Sequence, residues 1–393
     1  MAIAAGRVPL LRIDRTGVAV VGAILMVVTG AIGFDEAARA VDARTIVLLF
    51  SMMVIVAHLR LAGGLAALAQ YTAERVAHPA ALLVLLVLVS GVLSALFVND
   101  TICLVFTPLV LDIVLARGLR PLPFLLALAT ASNIGSAATI TGNPQNILIG
   151  SVSGLSFVTF AAALAPVALA GLAIDAALLC LIFRRDLFRP LDVAQPTMRV
   201  TTHAGVLWKT LGVCALVLAG FLAGYDTALV AAAGAAILLV TRRVRPRKIY
   251  TAIDWDLLML FVGLFVIVAA GERAGFDRRM FDWLAPLGVG TLAGLSATAA
   301  VLSNAISNVP AVMLFTSVVP RLPEPTASWL SLAMSSTLAG NLTILGSIAN
   351  LIVVEGARRR GVKVSFVEYA AVGVPLTLLT LAFGVWWLSL RLY

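Results

Sequence analysis

Long apolar segments alternate with short polar connections along almost the whole chain. Several segments are shorter than the roughly 20 residues with which a helix crosses hydrocarbon, so we expect tilted, broken or re-entrant helices beside simple spans. The pattern predicts an all-α polytopic membrane protein. The apolar segments are 17–33, 45–60, 80–98, 101–116, 122–134, 160–183, 205–224, 227–241, 256–271, 291–303, 328–339 and 366–388.

Three stretches of sequence occur twice, once in each half of the chain. Their agreement predicts two repeats, residues 1–185 and 225–393, joined by a linker at 186–224 that holds an extra transmembrane helix. The paired stretches are "VLSALFVNDTICLVFTPLV" (92–110) with "VLSNAISNVPAVMLFTSVV" (301–319), "TITGNPQNILI" (139–149) with "TILGSIANLIV" (343–353), and "SFVTFAAALAP" (156–166) with "SFVEYAAVGVP" (365–375).

Composition and charge indicate the environment and the orientation of the chain. Hydrophobic residues make up 61% of the chain and charged residues 12%, which excludes a soluble globular protein. The net charge of +9 comes from basic residues in short connections, so it indicates cytoplasmic loops and not nucleic-acid binding. With the N-terminus and the basic clusters at 184–189, 242–248 and 358–363 in the cytoplasm, the loop at 151–155 and the C-terminus lie outside. The extra helix between the halves then makes the two repeats inverted.

Each repeat contains a polar, glycine-containing interruption in one helix and an Asn at the tip of an apolar hairpin. Such interruptions survive in hydrocarbon only where protein or a water-filled cavity supplies partners for the freed backbone groups. Half-helix ends at a cavity stabilise ions, whereas the alternative interpretation is a polar kink that packs helices through small residues. The tips and interruptions are expected to meet near the middle of the membrane. The predicted substrate- or ion-binding residues are Asn99, Asp100, Thr101, Ser132, Asn133, Thr139, Gly142, Asn143, Asn146, Ser307, Asn308, Asn341, Thr343, Gly346, Ser347 and Asn350.

Asp100 is the only charged residue in the paired hairpin and interruption motifs. A carboxylate between apolar arms is expensive when it is ionised, and this is the property that a proton carrier needs. The alternative interpretation is a cap at the start of the second hairpin arm. Asp112 and Asp175 also lie in apolar segments, but they have no counterpart in the other repeat and are interpreted as interface or packing residues.

These motifs resemble the ion transporter superfamily, in particular its citrate-transporter-like branch, which includes divalent-anion symporters, arsenite efflux pumps and bacterial anion permeases. The resemblance covers nearly the whole chain. It implies two inverted repeats, each with a re-entrant helical hairpin and an unwound transmembrane helix, and substrate and coupling ion at the hairpin tips. The Asn99-Asp100 pair is similar to the arsenite pumps, whereas the sodium-coupled dicarboxylate branch has Ser-Asn-Thr at its tips. The resemblance rests on "VNDTICLVFTPLV", "SNIGSAATITGNPQNILIG", "SNVPAVMLF" and "GNLTILGSIANLIV".

The first functional hypothesis is a secondary active transporter of the bacterial inner membrane that exports arsenite or antimonite in exchange for protons, with Asp100 as the proton-coupling residue. Sodium- or proton-coupled uptake of a carboxylate or inorganic anion is the alternative, followed by an anion channel. An enzyme is not expected, because the chain lacks a phosphate-binding glycine loop with Lys-Ser/Thr and a metal-ligand cluster.

The predicted partners follow from the same reasoning. They are a small solute or ion and the lipid bilayer, and nucleic acid is not among them. Apart from H⁺ or Na⁺ as the coupling ion, no cofactor, metal or catalytic residue is predicted. A homodimer and a soluble ATPase partner remain open.

Overall fold

The computed structural model describes residues 7–8, 11–76, 78–188, 202–240 and 244–392. A short antiparallel strand pair, β1 (Arg7–Val8) and β2 (Leu11–Asp14), precedes the first helix. The helices are α1 (Arg15–Val28), α2 (Phe34–Ala40), α3 (Ala43–Leu61), α4 (Gly64–Arg75), α5 (Pro79–Leu96), α6 (Asn99–Ala116), α7 (Leu122–Ser136), α8 (Pro144–Ser153), α9 (Phe157–Ile182), α10 (Arg184–Leu187), α11 (Ala204–Leu222), α12 (Thr227–Leu239), α13 (Pro246–Tyr250), α14 (Trp255–Arg273), α15 (Phe276–Leu284), α16 (Leu292–Ile306), α17 (Asn308–Phe315), α18 (Pro325–Leu338), α19 (Ile348–Arg359) and α20 (Phe366–Leu392).

Each predicted apolar segment contains a helix. Among the described residues, seven helices are long and apolar enough to cross a membrane, namely α3, α5, α6, α9, α11, α14 and α20. The helical residues Arg279–Leu287 and helix α16 are bent by 115° relative to each other, and α1, α7 and α12 are shorter apolar helices. The all-α polytopic membrane fold predicted from the sequence is therefore confirmed. The predictions for residues 1–6, Arg189, Arg242 and Arg243 lie outside the described residues.

Two helical hairpins hold the repeated Asn residues at their tips. In the first hairpin, Phe97 and Val98 adopt an extended backbone between α5 and α6, and Asn99 begins α6. In the second hairpin, Ser307 alone separates α16 from α17, with φ 80° and ψ 155°. Residues other than glycine rarely adopt this conformation, which costs on the order of 1–3 kcal/mol. The second tip is therefore strained, whereas the first is not.

One helix in each half is interrupted. The first break separates α7 from α8, and the second separates α18 from α19, where 3₁₀ turns at Ala339–Asn341 and Ile344–Gly346 fill the gap. A Cβ atom at Gly142 would collide with the carbonyl oxygen of Ser136, so the chain folds back tightly on itself in the first break. Both halves thus contain a hairpin followed by an interrupted helix. The inverted orientation of the repeats and the domain boundaries stay predictions.

Small residues hold each hairpin against the interrupted helix of its own half. Helix α5 packs along α7, where a Cβ atom at Gly135 would collide with the backbone of Gly91. Helix α16 packs along α18, and the hydroxyl oxygens of Ser296 and Ser331 lie 2.8 Å apart between them. This packing brings both hairpin tips to the breaks.

Candidate substrate and ion site

Equivalent asparagines brace the two breaks. The Nδ2 atom of Asn146 donates to the carbonyl oxygens of Ser136 and Thr139 at 3.1 and 3.0 Å. The Nδ2 atom of Asn350 donates to the carbonyl oxygen of Gly340 at 2.7 Å and makes the equivalent second bond at 3.0 Å. Because the breaks remove helical hydrogen bonds, these side chains satisfy backbone oxygens that would otherwise be left unpaired.

Each break is also completed by a side chain from the other half of the chain. The Oδ1 atom of Asn133 accepts from Ser347 Oγ at 3.0 Å, and its Nδ2 atom donates to Asn350 Oδ1 at 3.0 Å. In the reciprocal contact, Thr337 Oγ1 accepts from Asn143 Nδ2 at 3.1 Å. Asn133 and Thr337 occupy equivalent positions in the two repeats, and both are buried. The halves are therefore interlocked at their breaks.

The hairpin tips are bonded to the breaks. The backbone N–H of Asn99 donates to the carbonyl oxygen of Gly142 at 3.0 Å, and its Nδ2 atom donates to Asn133 Oδ1 at 3.0 Å. In the second half, Asn304 lies one turn before the tip and donates to the carbonyl oxygen of Ala339 at 2.8 Å. The position of each tip is thus tied to the unwound segment of its own half.

A cavity of about 30 Å³ lies where both tips and the second parts of both broken helices meet. This volume holds roughly one or two water molecules, so a larger solute enters only when a tip or a helix end moves. The residues that line this central cavity are Arg15, Asn99, Asp100, Pro144, Gln145, Leu257, Leu260, Ser307, Asn308, Val309, Ser347 and Ile348.

The central cavity contains one basic and one acidic side chain. Arg15 is the first residue of α1, and Asp100 is the second residue of α6. Helices α8 and α19 begin at the cavity with Pro144 and Ile348, so their N-terminal ends add partial positive charge. The carboxyl group of Asp100 lies close to the backbone amide of Ala349 in the first turn of α19. An ionised Asp100 therefore occupies the kind of helix end that attracts anions.

Two amide oxygens at the tips have no hydrogen-bond partner. Within the described part of the chain, nothing donates to the buried Oδ1 atoms of Asn99 and Asn308. A buried polar atom without a partner costs about 1–3 kcal/mol. Since both residues line the central cavity, the site has spare acceptors that favour a ligand with hydrogen-bond donors.

Asp100 also lines a second cavity of about 50 Å³. This cavity includes Arg60 near the end of α3 and Asp254 immediately before α14, and both residues are exposed. Thr101 lines it as well. Asp100 is thus the charged side chain shared by the central cavity and a polar opening at the protein surface.

The structure divides the predicted site residues into three groups. The residues that line the central cavity are Asn99, Asp100, Ser307, Asn308 and Ser347. The residues that brace the breaks or hairpins without lining it are Asn133, Thr139, Gly142, Asn143, Asn146, Asn341, Thr343, Gly346 and Asn350. The two others are Thr101, in the second cavity, and Ser132, whose Oγ atom lies 3.0 Å from Cys103 Sγ.

Three of the residues that the structure adds to the site show why they are hard to identify from the sequence. Thr337 is equivalent to Asn133, and a longer alignment of the two interruptions pairs these positions. Asn304 lies within the second paired hairpin motif, but its partner position in the first motif is Ala95, so the repeat gives no signal for it. Arg15 reaches the cavity through the packing of α1, which no local pattern indicates.

A larger cavity of about 440 Å³ lies between α3, α5 and α11. Its lining includes no charged side chain, and it meets the first break only at Thr141. Apolar walls supply no partners for a charged or strongly polar solute. The central cavity is therefore the better candidate for a solute site.

Comparisons with known proteins point to membrane transport. A family model described as citrate transporter (CitMHS) matches residues 1–339. The chain is 32% identical to the silicon efflux transporter LSI3 of Oryza sativa subsp. japonica, over 96% of this chain and 93% of that protein. It is 27% identical to the putative transporter arsB of Dictyostelium discoideum, over 95% of this chain and 87% of that protein.

A solved structure shares the fold. The crystal structure of the Alcanivorax borkumensis YdaH transporter, described as having an unusual topology, matches with a TM-score of 0.60 at 19% sequence identity. The match covers 98% of this chain and 91% of that chain. The two proteins thus share an overall fold.

Proposed function

The chain belongs to the citrate transporter family of membrane solute transporters, and we propose that it exports a small uncharged oxyacid in exchange for protons. Arsenious acid is the first candidate for this solute. In this proposal the protein lies in the bacterial inner membrane, with its N-terminus in the cytoplasm. The observation that carries the proposal is the pair of unpartnered amide oxygens, Asn99 Oδ1 and Asn308 Oδ1, at the central cavity.

An uncharged oxyacid suits these oxygens because each of its hydroxyl groups donates a hydrogen bond. Arsenious acid and silicic acid are both uncharged at neutral pH, and both present at least three hydroxyl groups. A fully ionised carboxylate or sulfate has only acceptor oxygens, so it leaves the two amide oxygens unpaired. Arg15 and Asp100 also balance each other's charge in the cavity, which favours a solute without net charge.

The similar proteins support this class of solute. One is described as a silicon efflux transporter and another as a putative arsB transporter. Silicic acid and arsenious acid differ in the central atom but share small size, hydroxyl groups and the absence of charge at neutral pH. A single type of site, rich in amide oxygens and hydroxyl groups, is therefore able to bind either acid.

Asp100 is proposed to carry the coupling proton. Its ionised carboxylate accepts a hydrogen bond from the bound oxyacid, and protonation of the carboxylate from outside ends this bond and releases the solute. The proton then leaves to the cytoplasm through the opening at Arg60 and Asp254, which shares Asp100 with the central cavity. Solute and proton thus use the same carboxyl group alternately, which couples their movements in opposite directions.

A flux assay with purified protein in liposomes tests the proposal. Arsenite, antimonite, sulfate, succinate and citrate are offered one at a time, with and without sodium and with a proton gradient of either sign. We expect arsenite to move up its own concentration gradient, in the direction opposite to the downhill flow of protons, without any need for sodium. This movement should stop when a protonophore is added. Uphill movement of citrate, succinate or sulfate in a protein that leaves arsenite unmoved would refute the proposed solute.

Coupled uptake of an anion is the second candidate. The N-terminal ends of α8 and α19 and the side chain of Arg15 all lie at the central cavity, and together they attract negative charge. In the same assay, this candidate predicts uptake of sulfate or a carboxylate that increases with sodium or with an inward proton gradient. An anion channel differs from both carriers because it shows no counterflow.

A further inference from the structure

A second carboxyl group is buried on the side of the hydrogen-bonded network opposite Asp100. Asp175 lies in α9, its exposed fraction is 0%, and it is the only charged residue of that helix. Packing alone is a weak reason for a carboxyl group at this place, because an ionisable residue inside a membrane is expensive and commonly functional.

The hydrogen bonds of Asp175 fit a protonated carboxyl group. The Oγ1 atom of Thr130 lies 3.0 and 2.9 Å from its two carboxyl oxygens, and 2.8 Å from the carbonyl oxygen of Leu126. A hydroxyl group has a single proton to donate. When that proton goes to Leu126, the carboxyl group must donate to Thr130, so it carries a proton. Among the described residues Asp175 has no ion-pair partner, which also favours its neutral form.

Hydroxyl groups on α20 are available to the ionised form. The hydroxyl oxygen of Tyr369 is buried without a hydrogen-bond partner, and it lies within electrostatic range of the Asp175 carboxyl group. Thr377 also has a buried hydroxyl oxygen without a partner. Gly171 of α9 contacts Thr380 of α20. Because the two helices are antiparallel, Asp175, one turn after Gly171, lies level with Thr377, one turn before Thr380. A carboxylate at Asp175 therefore has donors at hand that the protonated form leaves unused.

Other titratable groups do not face Asp175 from the described helices that pack on α9. Helices α5, α7 and α18 carry none. Cys180 is five residues along α9 and lies on another face. The remaining groups are distant or have other partners. Arg184 and Arg185 lie roughly 14 Å or more along the helix axis, and Asp186 and Glu368 pair with Arg120. The Nζ atom of Lys209 donates to the carbonyl oxygen of Ile237 at 2.6 Å, Cys214 lines the apolar cavity, and Arg391 stacks on Trp387.

A chain of hydrogen bonds joins Asp175 to the central cavity. The carbonyl oxygen of Thr130 accepts from Asn341 Nδ2 at 3.2 Å, and Asn341 Oδ1 accepts from Asn133 Nδ2 at 2.8 Å. Asn133 Oδ1 in turn accepts at 3.0 Å from Asn99 Nδ2, at the tip that lines the cavity. A change in the bonding of Thr130 is thus connected to a residue of the solute site.

We propose that Asp175 is a second proton-binding site, loaded and emptied during transport and coupled to the central cavity through Thr130 and Asn341. In the loaded state the carboxyl O–H donates to Thr130, and Thr130 donates to Leu126. In the empty state the proton has passed to water, the Thr130 hydroxyl donates to the carboxylate, and the Tyr369 hydroxyl turns towards it. The inference rests on the proposed proton exchange, to which Asp175 adds one proton per cycle beside that of Asp100.

The proton-to-solute ratio tests this inference. Asp175→Asn keeps the size of the side chain and a donor to Thr130 but removes titration. In liposomes that contain a pH-sensitive dye, we expect arsenite exchange at equal pH to remain, and one proton fewer to move per arsenite. We also expect a change in the pH dependence of uphill transport. The amount of arsenite accumulated at a fixed pH gradient should change by at least about fivefold, the lower end of typical coupling between sites. Asp112→Asn, which removes an ion pair with Arg360, is the matched control and should change neither quantity.

An unchanged proton-to-arsenite ratio and an unchanged pH dependence of uphill transport in Asp175→Asn would overturn the inference. The same conclusion holds if the substitution lowers the free energy of unfolding and changes neither quantity. If Asp175→Asn fails to fold, infrared spectra of Asp100→Asn supply the second measurement. We expect a protonated carboxyl band in this variant that disappears reversibly as the pH is raised over the range in which the protein stays folded.

Two other infrared outcomes contradict the inference. A carboxyl band that persists over the whole range means that Asp175 is permanently protonated and structural. Loss of the band on addition of sodium at constant pH means that the site binds a cation other than the proton. The spectra need no solute, so failure of arsenite flux in the parent protein refutes the proposed solute without affecting this test.

Discussion

Asn133 is the side chain on which the central network depends most, and we expect Asn133→Ala to destabilise the protein strongly. Four hydrogen bonds end on this amide group. Its Oδ1 atom accepts from Asn99 and Ser347, and its Nδ2 atom donates to Asn341 and Asn350, at distances from 2.8 to 3.0 Å. Truncation therefore removes the partner of four groups at once, in a place where Asn133 itself is only 2% exposed.

The magnitude follows from the number of bonds. Hydrogen bonds between transmembrane helices contribute about 0.6 kcal/mol on average, so the loss of four lowers the free energy of unfolding by about 2.4 kcal/mol. This is more than twice the roughly 1 kcal/mol of an average point mutation. The neighbouring Ser132→Ala is the control, because Ser132 bonds within its own helix and to Cys103, and about 0.6 kcal/mol is expected there.

The assay is equilibrium unfolding in mixed detergent micelles, followed by helical circular dichroism, with reversibility checked by refolding. Asn133→Asp is measured beside Asn133→Ala, because it keeps the volume and the acceptor but replaces the two donors to Asn341 and Asn350 with an oxygen. We expect both variants to be much less stable than Ser132→Ala. If Asn133→Ala unfolds at the same denaturant concentration as Ser132→Ala, the hydrogen-bond network is not what holds the two breaks together.

Three further predictions concern coupling, packing and orientation. Asp100→Asn should retain arsenite exchange but lower the number of protons that move per arsenite, and unchanged uphill transport would leave Asp100 as a helix cap only. Gly142→Ala should lower the free energy of unfolding by about 1–3 kcal/mol through overpacking against Ser136, whereas Gly212→Ala, where a Cβ atom has free space, should not destabilise. A cysteine introduced at position 153 should react with a membrane-impermeant reagent from outside, and one at position 359 should not; the reverse pattern contradicts the proposed orientation.

Much of the architecture is predictable because it depends on local chemistry. Apolar segments specify helices wherever the backbone must bond to itself in hydrocarbon, and every predicted segment contains one. The breaks are predictable too, since glycine and proline interrupt apolar sequence only at particular places. Asn146 and Asn350 could be identified as equivalent positions because the two motifs align. In the structure, each makes the same pair of hydrogen bonds to its own break.

Contacts between distant elements were not predictable from one sequence. Arg15 belongs to a basic N-terminal segment and gives no indication that it reaches a cavity lined by Asp100. Asp175 has no counterpart in the second repeat, so the paired motifs favour only an interface or packing role for it, although it is completely buried. Both cases depend on which helices pack together, and hydrophobic periodicity contains little information on that choice.

The exchange of bonding partners between the halves has a consequence for the synthesis of the protein. Asn143 of the first break bonds to Thr337, which lies 194 residues later in the chain. At ordinary translation rates this separation corresponds to roughly 10–40 s, during which the first half is in the membrane without its partner. A ribosome that stalls within this interval leaves a polar, unwound segment exposed to lipid, where membrane proteases and insertion chaperones recognise unfinished chains. The first half should therefore be short-lived when it is expressed alone and should be rescued by co-expression of the second half.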